Sequence, residues 1–139
     1  MHATYENNLY NVYGEVSGRL RGQGLGLLRD VIIADSDAEA IALWKNSGVF
    51  SGRAWFEPFG FRKGVMDPVT GAAPTAEESV ELGYALVGTV DTVVRNLEKI
   101  KQRLPVDWLF CYTYNSLVPH AILMKSIEKF WTHVMPRVA

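Results

Sequence analysis

The sequence predicts an α/β fold with parallel strands, and three observations carry that expectation. Strand-like and helix-like runs alternate three times between residues 27 and 136. The first strand-like run, LLRDVIIAD, holds Val31, Ile32 and Ile33 without polar alternation, which suits a strand covered on both faces. The strand-like runs are followed within a few residues by helix-start residues and then by apolar residues at 3-to-4 spacing. Such alternation argues for right-handed crossovers between parallel strands. At 139 residues and 48% hydrophobic, residues 1–139 are expected to form one domain with a packed core.

Residues 4–20 could form a helix through Tyr5, Leu9, Val12, Tyr13, Val16 and Leu20, although Gly14 and Gly18 weaken it, and RGQGLG (21–26) breaks the chain. The strand at 27–35 is followed by Ser36-Asp37-Ala38-Glu39, a capping-box pattern. Ala40, Leu43, Trp44 and Ser47 then share a helix face, which continues as far as about Phe56 or stops at Gly48. Residues 49–75 mix Trp55, Phe56, Phe59 and Phe61 with glycines, prolines and charges, and read as a long, lid-like loop. Thr75 with Glu78 forms a second capping-box pattern. Ala85, Leu86 and Val87 read as a short buried strand, and Thr89 as the cap of a helix whose stripe is Val93, Val94, Leu97, Ile100 and Leu104. VDWLFCYTY (106–114) is an aromatic strand. The last helix starts near Pro119, buries Leu123, Ile127, Phe130, Trp131 and Val134, and is expected to close at Pro136.

A net charge of -1 argues against electrostatic capture of nucleic acid. Cys111 is the single cysteine, so no internal disulfide can form. No run approaches the roughly 20 apolar residues of a membrane span, and MHATYENNLYNVY does not read as a secretory signal. A cytoplasmic protein is expected.

Three stretches together resemble the C-terminal part of the luciferase-like flavin-dependent monooxygenases. They are LLRDVIIADSDAEA, YALVGTVDTVVRNLEKI and DWLFCYTYNSLVPHAILMKSIEKFWTHVMPRV, in that order and over about residues 20–139. The resemblance implies a partial TIM-like (β/α) barrel of about three parallel strand–helix units. It implies reduced FMN as cofactor, a separate flavin reductase to supply it, and oxidation of a small organic substrate by O2 in the complete enzyme. Family members form most of the flavin site on strands upstream of this match, so the chain alone is not expected to catalyse the reaction. A full barrel typically needs about 250 residues. The chain is therefore expected to be part of a longer product or a shortened relative, whose open sheet edges call for a homo-oligomer or a partner chain. The alternative is a non-catalytic self-associating or barrel-completing α/β subunit.

In barrels, chemistry sits at the carboxyl ends of the strands. The corresponding rims are Asp35-Ser36, Gly88-Thr89, and Thr113-Tyr114-Asn115 with Ser116. Capping accounts for Asp35 and Ser36. Gly88 and Thr89 present either helix-start N–H groups to a cofactor anion or an ordinary threonine cap, and no further glycine motif accompanies them. Tyr112 and Tyr114 share one strand face and, with Asn115, either line an aromatic pocket or pack against helices. Trp55, Phe56 and Phe59 either cover a substrate or pack over exposed core. His2, His120 and His133 lack partners and metal spacing, so no metal is expected. Cys111 reads as a core residue, and Glu77, Glu78 and Glu81 as a solvated helix face.

Overall fold

A computed structural model describes residues 26–47, 69–103, 106–113 and 117–139. The proposed N-terminal helix, the segment with Trp55, Phe56, Phe59 and Phe61, and Leu104, Tyr114, Asn115 and Ser116 lie outside these residues. The described elements are β1 (Gly26–Ile33), α1 (Asp37–Asn46), α2 (Ala76–Glu81), β2 (Ala85–Gly88), α3 (Val90–Arg103), β3 (Trp108–Tyr112) and α4 (His120–Lys129). A π-helical turn (Phe130–Val134) follows α4, and α5 (Met135–Val138) ends the chain.

The three strands form one parallel sheet in which strands alternate with helices, as expected of an α/β chain and consistent with a partial β/α barrel-like fold. The strand order is β2-β1-β3. Strands of a barrel taken in chain order would place β2 in the middle, whereas here the first strand is central. The carboxyl half of β1 pairs with β2, from Asp30↔Ala85 to Ile33↔Gly88. Its amino half pairs with β3, from Gly26↔Trp108 to Asp30↔Tyr112.

Side-chain alternation along the strands divides the core in two. Val31, Ile33 and Leu86 face α3 and the chain end, packing on Val93, Val94, Leu97, Ile100, Phe130 and Val134. Ile32, Ala85 and Val87 face α1 and α2, packing on Ala40, Trp44, Ala76 and Val80. This explains the uninterrupted apolar run at 31–33, because both of its faces are covered. The α3 stripe is buried at Val93, Val94, Leu97 and Ile100, as its spacing predicts.

The caps were legible to different degrees. Thr75 and Glu78 form the reciprocal capping box, with Thr75 Oγ1 accepting from Glu78 N and Glu78 Oε2 accepting from Thr75 N. At α1, Ser36 Oγ accepts from Glu39 N, but the Glu39 carboxylate takes Asp35 N instead of Ser36 N. The helix does not run on toward Phe56. Ser47 turns into extended backbone (φ -71, ψ 146), and both its N–H and its hydroxyl donate to Trp44 O.

The chain end corrects two expectations. Pro136 does not close the helix; it lies within α5, preceded by the π turn. A proline inside a helix lacks an N–H and its ring crowds the carbonyl four residues back, and widening the preceding turn makes room for the ring. The wider turn also changes the register of the apolar face. Phe130 and Val134 are buried, while Trp131, expected in the core, is 61% exposed.

Candidate functional site

The chain reverses its winding about β1. The helix after β1 packs on one face of the sheet and the helix after β2 packs on the other. In open α/β sheets such a reversal opens a crevice outside the carboxyl ends of the two strands concerned. Here those ends are Ala34 to Asp37 and Gly88-Thr89, and Ala34 N donates to Gly88 O across them.

Asp37, the first residue of α1, bridges this crevice. Its Oδ1 accepts from Thr89 N at 2.7 Å and its Oδ2 from Thr92 Oγ1 at 2.9 Å. Thr89 Oγ1 in turn accepts from Thr92 N at 3.3 Å, as a threonine cap does. Arg95 donates to Thr92 Oγ1 at 3.2 Å. Desolvation pushes the Asp37 carboxyl pKa up, but the hydrogen bonds from Thr89 and Thr92, with the nearby Arg95 charge, outweigh it and leave the pKa below its ordinary value. Gly88 makes the approach possible. Its φ is 151°, and a Cβ there would lie 2.7 Å from Asp37 Oδ1 and 2.8 Å from Thr92 Cγ2.

The amide that a cofactor anion would use at Gly88-Thr89 is therefore engaged by an internal carboxylate. Beside it lies a cleft of about 340 Å³ between α1, α2 and α3, lined by Asp37, Ile41, Val80, Val87, Thr92 and Asn96. Asn96 is buried and donates from Nδ2 to Val80 O at 3.1 Å. Glu77, Glu81, Arg95 and Lys99 bring both signs of charge to its walls, so its chemistry suits a small polar group better than a poly-anion.

The other rims differ in kind. Asp35 is exposed and ion-paired with Lys129, whose hydrogen bond and charge lower the Asp35 pKa. Tyr112 lies on the sheet face opposite to the one that packs on α3, in register with Asp30. It shares that face with Trp108, Phe110 and Leu28, and the four are 39%, 60%, 58% and 64% exposed. Tyr112 lies on the face away from the core cluster against which Leu109 and Cys111 are partly buried. Cys111 is half-buried, and burial pushes its thiol pKa up. His120 begins α4 and His133 falls in the π turn. Among the described residues no group of three His, Cys, Asp or Glu side chains could hold a metal ion. No helix among them is long and apolar enough to cross a membrane.

Sequence reasoning missed three residues that shape this end of the sheet. Asp37 was read only as part of a cap, and its reach to α3 spans 52 positions to Thr89. Ser126 of α4 accepts from Ile33 N at 2.8 Å in a buried setting. It satisfies a strand N–H left over because β3 pairs with β1 only as far as Asp30. Asp30 accepts from Trp44 Nε1 at 2.8 Å, tying α1 to β1. A surplus Ser in a helix face and an Asp inside a strand were the available signals, and neither names its partner.

No family model matches the chain, and no curated protein matches it. Among solved structures, the chain is similar to the crystal structure of monooxygenase RslO1 from Streptomyces bottropensis, with a TM-score of 0.69 and 17% sequence identity. The match covers 95% of this chain and 36% of that one. The chain thus spans little more than a third of the length of the protein it resembles, and what the two share is a fold found in a monooxygenase.

Proposed function

We propose that this chain is the C-terminal portion of a luciferase-like flavin-dependent monooxygenase and does not catalyse the reaction by itself. The complete enzyme would oxidise a small organic substrate with reduced flavin and O2, the reduced flavin coming from a separate reductase. The observation that carries this reading is the fold shared with a monooxygenase over nearly the whole of this chain. The three sequence stretches that resemble the family agree with it in order and spacing.

FMN tests the fit of the residues. As they stand, Gly88 and Thr89 do not fit a flavin phosphate, because Asp37 holds the Thr89 amide and would set a carboxylate against the phosphate charge. In this reading the phosphate site belongs to other parts of the enzyme. The role left to the described residues is apolar. Tyr112, with Trp108 and Phe110, offers an aromatic wall to a flavin ring or an apolar substrate. Such a wall positions the reactants and excludes water, while oxygen chemistry comes from the cofactor.

The test is reconstitution. The chain is assayed for O2 consumption with reduced FMN, alone and together with a polypeptide supplying the missing strand–helix units. Substrate oxidation only in the mixture is expected. Enzyme-like turnover by the chain alone, or none in a folded mixture, overturns the reading. A second reading, a non-catalytic α/β subunit that self-associates or completes a barrel, is favoured by the bare aromatic face of β3.

A further inference from the structure

The cleft between α1, α2 and α3 holds a polar group that the fold leaves without a partner. Asn96 is 3% exposed and its Nδ2 donates to Val80 O, but among the described residues its Oδ1 accepts from no donor. Buried amide oxygens are ordinarily paired, and one left without a donor carries a desolvation cost that a bound molecule can relieve. The cleft that Asn96 lines is about 340 Å³, within the size range of small-molecule sites. Its two walls differ in sign. On α3, Arg95 and Lys99 lie one turn apart, and on α2, Glu77 and Glu81 do the same. Glu77 is paired with Lys45 at 3.5 Å, whereas Glu81, Arg95 and Lys99 enter no ion pair among the described residues. The hydrogen bond from Asn96 to Val80 joins the two walls, so the unpartnered Oδ1 lies between cations on one side and carboxylates on the other. Val80 and Val87, both buried, and Ile41, half-buried, add an apolar lining.

We propose that this cleft binds a small zwitterion with a short apolar body, of the class of a free α-amino acid with a branched aliphatic side chain. The ammonium group donates to Asn96 Oδ1 and faces Glu77 and Glu81. The carboxylate faces Arg95 and Lys99, and the aliphatic part packs on Ile41, Val80 and Val87. The same residues select against other classes. A phosphate-bearing ligand would meet Asp37, Glu77 and Glu81. A wholly apolar ligand would leave Asn96 Oδ1 unanswered and both charged walls desolvated. A metal ion lacks its ligand group among the described residues. The charged walls are exposed, so their ion pairs with the ligand are screened, and the buried Asn96 and the apolar lining carry most of the affinity. The site lies apart from Tyr112 and does not rest on the flavin reading.

Calorimetric titration of the full chain with L-leucine tests it, with amide chemical shifts recorded over the same titration. Saturable binding is expected, with a Kd of about 0.1–1 mM, and the shifts should centre on Val80, Arg95 and Asn96. Isocaproate, which lacks the ammonium group, and isoamylamine, which lacks the carboxylate, should each bind roughly tenfold more weakly or not at all. Arg95→Gln, at an exposed position, should weaken L-leucine at least about threefold and leave isoamylamine unchanged. Asn96→Leu should abolish binding, and Arg95→Gln suffices if that variant fails to fold. Arg137→Gln, on α5 and paired with Asp91, should change nothing. No saturable binding of L-leucine up to about 10 mM would overturn the proposal. So would an analogue that binds as tightly as L-leucine, undiminished binding in folded Arg95→Gln, or shifts that centre away from α1, α2 and α3. Failure of the reconstitution test leaves all of these outcomes unchanged.

Discussion

β2 and β3 both pair in parallel with β1, yet they meet different surroundings. β2 is four residues long, and Ala85, Leu86 and Val87 are fully buried between two helix layers. β3 is five residues long, with one face half-buried and the other an exposed aromatic strip. Hydrophobic character does not separate them, since Trp108, Leu109 and Phe110 are as apolar as Ala85, Leu86 and Val87. What separates them is cover. β2 is the strand that carries stability, and β3 is the strand that carries a surface. The same contrast runs along β1, whose carboxyl half is buried beside β2 while its amino half lies open beside β3.

Substitutions can break that contrast or sharpen it. The largest effect is expected from Leu86→Ala, which empties a site between Val31, Val93 and Leu97 and should cost about 2–5 kcal/mol in denaturant unfolding. Leu28→Ala removes the same atoms at an exposed position and should cost less than about 1 kcal/mol. Equal losses would show that the strip is covered in the isolated chain. Gly88→Ala should follow, at about 2 kcal/mol, because its φ is left-handed and the new Cβ meets Asp37 and Thr92. Thermal unfolding reads this, and Asp37→Ala in the same chain should recover part of it by removing one of the clashing groups.

Ser126→Ala leaves Ile33 N–H buried without its acceptor and should cost roughly 1–2 kcal/mol. Faster hydrogen exchange at Ile33 than at Val31 would locate the loss. The smallest effect belongs to Asp37→Asn, about 0.5–1 kcal/mol at neutral pH, since this carboxylate is exposed and solvent screens it. Its sign with pH is fixed by the lowered folded pKa. The stabilisation is present above the unfolded carboxyl pKa and is lost as pH falls through the lower folded value. The difference between wild type and Asp37→Asn should therefore shrink on acidification below about pH 4. A difference that grows instead would show that the carboxylate is not held by Thr89 and Thr92.

Much of the fold was legible because it is local. The run at Val31 to Ile33, the α3 stripe and the Thr75–Glu78 box each depend on residues a few positions apart. The misreadings at Trp131 and Pro136 have one cause, a π turn that shifts the helix register and that residue spacing does not report. The site was less legible. Gly88-Thr89 stood out as a helix-start turn, and its threonine cap is present. The occupant of its amide is a side chain from α1, 52 positions away, and no pattern near Thr89 points to it. The face of Tyr112 needed the pairing of β3 with β1, because strand alternation defines two faces without saying which is covered.

The amino-acid sequence by itself determined the α/β class, the alternation of strands and helices, and most of the caps. Each follows from backbone preference and periodicity over a single turn or strand. Tertiary structure alone decided the order β2-β1-β3, the bridge from Asp37 to Thr89 and Thr92, and the bare aromatic strip of β3. These depend on which strand lies beside which, a choice made by burying two helix layers against one three-stranded sheet, and that total is not written in any one stretch of the chain.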